Sequence, residues 1–479
     1  MNPAPIRNAD VEDYYPLSPM QEGMLLHTVY GGEPDLYVFQ LSCFLRGELD
    51  PDLFEEAWER VIRRHAVLRT FFLWEGLGKP VQVIKKIVKL PMTRLDWRGL
   101  NAEEEEEQLE LLLIQDRRGG FVLSAAPLMR LTLIQTGESI YRLVWTHHHL
   151  LLDGWSLARV LDDVQTCYGS LRRGAAPDEE PSPPYRNFIT WLYQQDLSKA
   201  RAFWSDLLND FTAPTPLTMG RSAANTTDEW QEYRRQAIDL SPAAIADLQL
   251  LARKRHLTVN ILVQGAWALL LSRFSNRSDV VFGAVVSGRP SGLPGITSMV
   301  GMFINTLPVR VRIPSGVRVA DWLEDLRRQE AALLQYEYTP LVEVQLCSGT
   351  PRGAPLFESI LAFDNYPIHS STGDDQWNVS IDGIRSFQRS NYPLAIVAVP
   401  AAGLTLVASY DPRRFDDVMI LQVLQRLERL LCSLPAALDS TVDELQVLSP
   451  EERALLATPS EVRDLEETFL FDAQQPGIA

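Results

Sequence analysis

Apolar residues recur along this chain at two spacings, and the spacing separates helical from extended stretches. Over residues 52–64, Leu53, Phe54, Ala57, Trp58, Val61 and Ile62 fall three and four apart, which predicts a one-faced helix opened by Asp50-Pro51. The acidic run 103–107 leads into Leu109, Leu111, Leu112 and Leu113, a second helix whose charged first turn complements its dipole. Residues 129–135 and 140–146 read as strands joined at Thr136-Gly137-Glu138-Ser139, a hairpin by composition. The second strand runs into His147-His148-His149. After Asp153-Gly154, helical spacing returns in Trp155, Leu157, Val160, Leu161, Val164 and Tyr168. The histidines are thus expected at a strand end, on a loop before a helix.

Residues 174–184 (GAAPDEEPSPP) are rich in proline and acid, and mark the boundary between two halves, 1–176 and 177–455. The second half carries helical spacing over 185–208, 241–256, 259–273 and 415–434. Its strands are expected over 279–286, 357–363, 394–399 and 404–409. Each half mixes both elements, which predicts an α/β sandwich class. Halves of similar content permit a pseudo-dimer, and no short-period repeat is visible.

Composition narrows the function. With 479 residues, 46% hydrophobic and 22% charged, the chain reads as globular with room for two cores. Cys43, Cys167, Cys347 and Cys432 are scattered, without zinc or redox spacing, and suit a reducing cytoplasm. Residues 1–10 lack the pattern of a secretion signal. The apolar stretch 261–271 is interrupted by Gln264 and too short to span a bilayer. A net charge of −17 argues against a nucleic-acid partner, because phosphate binding needs concentrated Lys and Arg.

The chemistry concentrates in residues 148–154, HHLLLDG. Imidazole exchanges protons near neutral pH, and a tight loop makes it reachable. Asp153, flanked by three leucines and a glycine, needs a cationic partner if it is buried. Gly154 permits close backbone approach and offers an N–H at the following helix start. Two plainer readings stand beside catalysis. The histidines can be hydrogen-bonded structural residues, or His147 and His149, which share a strand face, can hold a metal. No Cys/His partner at ligand spacing supplies the rest of a metal site.

This stretch resembles the HHxxxDG signature of non-ribosomal peptide synthetase condensation domains, in the chloramphenicol-acetyltransferase-like superfamily. Other segments match that family in order. Ser18-Pro19-Met20-Gln21 resembles its opening motif, and residues 64–71 (RHAVLRTF) its RHxxLRTxF motif. Residues 287–290 (SGRP), 301–306 (GMFINT), 335–341 (QYEYTPL) and 357–367 (FESILAFDNYP) are similar to further segments. The resemblance implies a V-shaped pair of acetyltransferase-like subdomains with a central tunnel, which admits a phosphopantetheine arm from a donor and an acceptor carrier domain. It gives His149 the catalytic role, as a base or a positioning group, and His148 a supporting one. The Gly154 region could stabilise an oxyanion. Asp153 would pair with Arg289, while Asn305 and Trp155 would line the tunnel; for Asn305 the plainer reading is a strand-end residue that satisfies backbone. The acceptor amine would attack the donor thioester to form an amide, with no tightly bound cofactor and no metal.

Two departures matter. The opening motif lacks the arginine of the commoner version, so no role passes to that position. Residues 456–479 resemble a linker into an adjoining adenylation domain, and the chain stops there. Among rivals, an epimerisation domain typically has a different string after DG, where this chain reads Trp155-Ser156-Leu157-Ala158. Heterocyclisation would need an aspartate-rich motif that is absent. An ester-forming free-standing relative, an inactive recruitment module and an acyl-CoA transferase stay open.

Overall fold

The computed structural model describes residues 10–177, 180–219, 231–351, 353–364, 378–400, 403–448 and 452. The expected linker at 456–479 and residues 365–367 of one matched segment lie outside them. Before residue 177 run β1 (Val11–Pro16), β2 (Val38–Gly47), β3 (Thr70–Leu73), β4 (Val81–Lys85), β5 (Met92–Asp96), β6 (Met129–Gly137) and β7 (Ile140–His148). After it run β8 (Arg234–Leu240), β9 (Asp279–Val286), β10 (Asn305–Arg312), β11 (Ser359–Phe363), β12 (Val379–Gln388), β13 (Leu394–Pro400) and β14 (Leu404–Tyr410). The helices that matter to the site are α1 (Pro19–Gly31), α2 (Pro51–Arg64), α3 (Ala102–Gly119), α4 (Gly154–Arg172) and α5 (Arg186–Tyr193).

These strands form a six-stranded sheet ordered β10-β9-β11-β13-β14-β8, a five-stranded sheet ordered β12-β2-β7-β6-β5, and a small sheet β1-β4-β3. The mixed α/β class expected from the spacing is what the chain adopts. Chain order does not divide the molecule cleanly, however. β12, far beyond the proline-rich segment, pairs antiparallel with β2, so Val379 lies opposite Gly47 and Gln388 opposite Phe39. The helical pattern over 185–208 also breaks. α5 ends at Tyr193, and Asp196 caps a new helix, Leu197–Leu207, by accepting from Ser198 N–H.

Two cores follow the two large sheets. In the first, α2 buries Phe54, Trp58, Val61 and Ile62, the face its spacing predicted. Trp58 meets Trp145 of β7 edge to face, with ring centres 4.9 Å apart. That contact fixes the strand that delivers the histidines. The second core is built around the helix Val259–Ser275, buried from Ile261 to Leu271. Among the described residues no single helix is long and apolar enough to cross a membrane.

The first core also takes side chains from the later half, including Ile296, Met299, Phe303, Val379 and Ile381. Phe303 packs against Tyr185 and Phe188, at 5.1 and 4.7 Å between ring centres. Truncating so large a buried ring leaves a cavity. Phe303→Ala is expected to lower the unfolding free energy by about 3–5 kcal/mol, measured by denaturant titration. A loss below about 1 kcal/mol would show that this crossing is not part of the core.

Candidate active site

β7 alternates in the usual way, so Trp145 and His147 share one face while Thr146 and His148 share the other. His147 stacks on Phe39, ring centres 5.1 Å apart, and its Nδ1 lies 3.2 Å from the His148 carbonyl. A carbonyl only accepts, so Nδ1 carries the proton. His148 is the opposite tautomer. Its Nδ1 accepts from Leu150 N–H at 3.2 Å, leaving the proton on Nε2, 3.4 Å from Thr28 Oγ1. Burial pushes both rings down to about 3, with neighbouring imidazoles adding to the effect. These two are structural histidines held neutral.

His149 is different in its surroundings. Its backbone N–H donates to the Tyr37 carbonyl at 2.8 Å. Burial lowers its pKa, opposed by the carbonyl of His149 itself, the Asp153 charge and the Leu152 carbonyl. The ring is therefore neutral at physiological pH, with a nitrogen lone pair available.

The loop after it is anchored at each step. Leu150, Leu151 and Leu152 are fully buried. The Leu150 carbonyl accepts from Gln21 Nε2 at 2.9 Å, and Asp153 N–H donates to the Gly301 carbonyl at 3.1 Å. Gln21 is the last residue of the matched opening motif, to which the sequence reading assigned no site role. It closes a capping box with Ser18 at the start of α1, and its Oε1 also accepts from Gln82 at 3.1 Å. The signal was in the sequence: S-x-x-Q opening a helix predicts a cap, although not what the amide's other end would hold.

Asp153 caps α4. Its Oδ1 accepts from Ser156 N–H at 2.8 Å, and its Oδ2 from Phe303 N–H at 3.2 Å. Arg289 Nη2 lies 3.2 and 3.4 Å from the two oxygens and 2.9 Å from Ser156 Oγ. The other guanidinium nitrogen, Nη1, donates to the Ile296 and Met299 carbonyls at 2.7 and 3.1 Å. The guanidinium also lies over the Phe303 ring, 3.8 Å from its centre. The Asp153 and Arg289 side chains are 1% and 9% exposed, so this charge pair is desolvated. Gly288, just before Arg289, has φ of +60°, and an added Cβ would sit 1.9 Å from the Phe303 carbonyl oxygen. Only glycine fits there.

The remaining expected positions fall as follows. Gly154 is the first residue of α4, at its electropositive end. Trp155 is 38% exposed, and its Nε1 donates to the Thr297 carbonyl at 3.3 Å. Asn305 spends its amide nitrogen on the Glu337 and Thr339 carbonyls at 2.8 and 2.7 Å, and its oxygen accepts from Thr306 N–H. That is a backbone-satisfying role at the start of β10. His65 of the RHxxLRTxF motif contacts buried Asp163 of α4 at 2.7 Å and ties α2 to the helix that Asp153 caps. Among the described residues no three His, Cys, Asp or Glu side chains converge as a metal site. A cavity of about 710 Å³ opens beside the last turns of α1, lined by Leu26, His27, Tyr30, Asn391 and Arg413 among others.

The chain thus folds as two mixed sheets, with a histidine loop locked between a helix cap and a buried arginine. The condensation domain family model matches residues 11–457, and the chain belongs to that family. It is 43% identical over 447 residues to a linear gramicidin synthase polypeptide of Brevibacillus parabrevis, covering 93% of this chain and 6% of that protein. It is 32% identical over 451 residues to bacitracin synthase 3 of Bacillus licheniformis, covering 93% and 7%. The chain thus spans only a small part of the curated relatives it matches. The first condensation domain of the CDA synthetase superposes with a TM-score of 0.78 at 19% identity, covering 91% of this chain and all of that one. A four-domain nonribosomal peptide synthetase bound to AMP and glycine gives the same TM-score at 18% identity, covering 95% and 35%. The fold expected from the motifs is the fold of these structures.

Neutral burial of His147 and His148 has a measurable consequence. An unfolded histidine titrates near 6.5 and these folded rings near 3, so between those values the unfolded chain binds more protons. Stability is fully present above the unfolded pKa and falls as pH drops below it. Each ring is expected to remove about 2 kcal/mol between about pH 7 and pH 5. His148→Gln should flatten that decline in a denaturation series across pH. An unchanged slope would mean that His148 is not held neutral.

Proposed function

We propose that this chain forms an amide bond between a donor acyl or peptidyl thioester and an acceptor aminoacyl thioester, each on the phosphopantetheine arm of a carrier domain. The observation that carries the reading is the intact HHxxxDG loop. His149 is neutral on a backbone fixed by Tyr37, Gln21 and Gly301, and Asp153 is locked to Arg289. A recruitment-only module has no need of such an anchored imidazole.

In the reaction, the acceptor's amine nitrogen attacks the donor carbonyl, forming the C–N bond and breaking the C–S bond. The sulfur leaves on the donor arm as a thiolate and regains a proton from the attacking amine. His149, holding a free lone pair, accepts that proton or holds the amine in line. The Gly154 end of α4 supplies positive potential for the developing oxyanion. A thioester is already activated, so alignment of two tethered reactants contributes much of the acceleration. Donor and acceptor carriers are the partners, with an adenylation domain adjoining, in a cytoplasmic setting. Neither a metal nor a tightly bound cofactor enters the scheme.

The test is single-turnover condensation between a loaded donor carrier and a loaded acceptor carrier. His149→Ala is expected to slow it by at least about 100-fold with an unchanged thermal transition, and a chelator should have no effect. A folded His149→Ala variant with near wild-type turnover would remove His149 from the mechanism. Equal turnover with untethered thioesters would point instead to a soluble acyltransferase.

A further inference from the structure

Tyr37 stands in an unusual conformation beside the catalytic loop. Its φ is +59°, in the left-handed region that a bulky side chain occupies only when its surroundings force it. Such a conformation is costly for a bulky side chain, and an outlier of this kind next to a reactive group points to a positional requirement.

Four contacts impose the conformation. The Tyr37 N–H donates to the Arg389 carbonyl at 3.0 Å, and the Tyr37 carbonyl accepts the His149 N–H at 2.8 Å. The phenol donates to Asn391 Oδ1 at 3.0 Å and faces His27 Nδ1 at 2.9 Å. Because the phenol's single proton goes to Asn391, His27 Nδ1 must be the donor to its oxygen. The segment is pinned further by Asp35 and Glu33, which both pair with the buried Arg389 guanidinium. Three parts of the chain thus meet at one residue: α1 through His27 and the stretch between β12 and β13 through Asn391, both on the phenol, and the His149 loop through the backbone carbonyl.

We propose that Tyr37 is a positioning residue for His149, with its hydroxyl, held by Asn391 and His27, fixing the strained backbone whose carbonyl sets the height of the His149 loop. This rests on the amide-forming role of His149 proposed above. His27 and Asn391 also line the 710 Å³ cavity, so a direct contact with a substrate group is the competing role. The two roles separate kinetically. A substrate contact changes KM, whereas a positioning residue changes kcat.

Tyr37→Phe keeps the ring and removes only the hydroxyl, and Asn391→Ala removes its acceptor. Each is expected to lower kcat for carrier-to-carrier condensation by about tenfold, with KM for both carriers within about twofold of wild type. The double variant should lose no more than Tyr37→Phe alone, because that change already removes the bond to Asn391 together with the one to His27. Hydrogen exchange of the His149 amide, read in the same proteins without substrate, should quicken on the order of tenfold in each variant. Multiplying losses, a raised KM at constant kcat, or an unchanged His149 exchange rate would each overturn the proposal. If the wild-type protein itself fails to condense loaded carriers, the functional reading falls, while the exchange measurement still decides the role of Tyr37.

Discussion

The desolvated pair between Asp153 and Arg289 is the interaction on which the site depends. Asp153 does three things at once: it caps α4, accepts from the Phe303 backbone, and neutralises Arg289. Arg289 in turn gathers the carbonyls of Ile296 and Met299 and packs on the Phe303 ring. Taking two charges out of water costs several kcal/mol per ion, so a pair like this adds little net stability by itself. What it supplies is definition. The contacts of carboxylate and guanidinium are met together in one arrangement, and that arrangement joins the histidine loop to a segment from the other half of the chain. Leaving either charge alone in that setting is far costlier than the pair is favourable.

The histidine triplet shows how one short run yields different chemistry at adjacent positions. His147 and His148 point to opposite faces of β7, are fully enclosed, and use their ring nitrogens on local backbone or Thr28. His149 sits one residue past the strand end, where the backbone turns toward Tyr37. All three rings are buried, and the neutral His147 and His148 add no positive charge that would depress His149 further. Their enclosure removes conformational freedom from the strand end, and the third residue inherits a fixed starting point.

Much of this was legible in the sequence, and what was not has a physical reason. Helical and strand spacing report which face of an element is buried, so α2, α4 and the β6–β7 hairpin could be read locally. The need of Asp153 for a cation followed from its apolar neighbours, and the matched SGRP segment named the candidate. Spacing does not report partners distant in the chain. That β12 crosses to pair with β2 depends on long-range register and leaves no local mark. The role of Gln21 was half visible: its oxygen completes a helix cap, while its nitrogen reaches 129 residues along the chain to Leu150. Asn305 was expected in the tunnel by resemblance. Its amide is committed to the 337–339 backbone, the strand-end use that stood as its plainer reading.

The central claim is that one buried charge pair holds both the fold across the two halves and the placement of His149. A double-mutant cycle over Asp153→Asn and Arg289→Met, read by unfolding free energy and by condensation rate, tests it most directly. The expected result is a cost of about 3–5 kcal/mol for Arg289→Met, which strands the carboxylate, and a recovery of at least about 2 kcal/mol when Asp153→Asn is added. Condensation should stay impaired in the double variant, because neutral partners do not restore the geometry. Additive stability costs, or wild-type turnover without the pair, would contradict the claim.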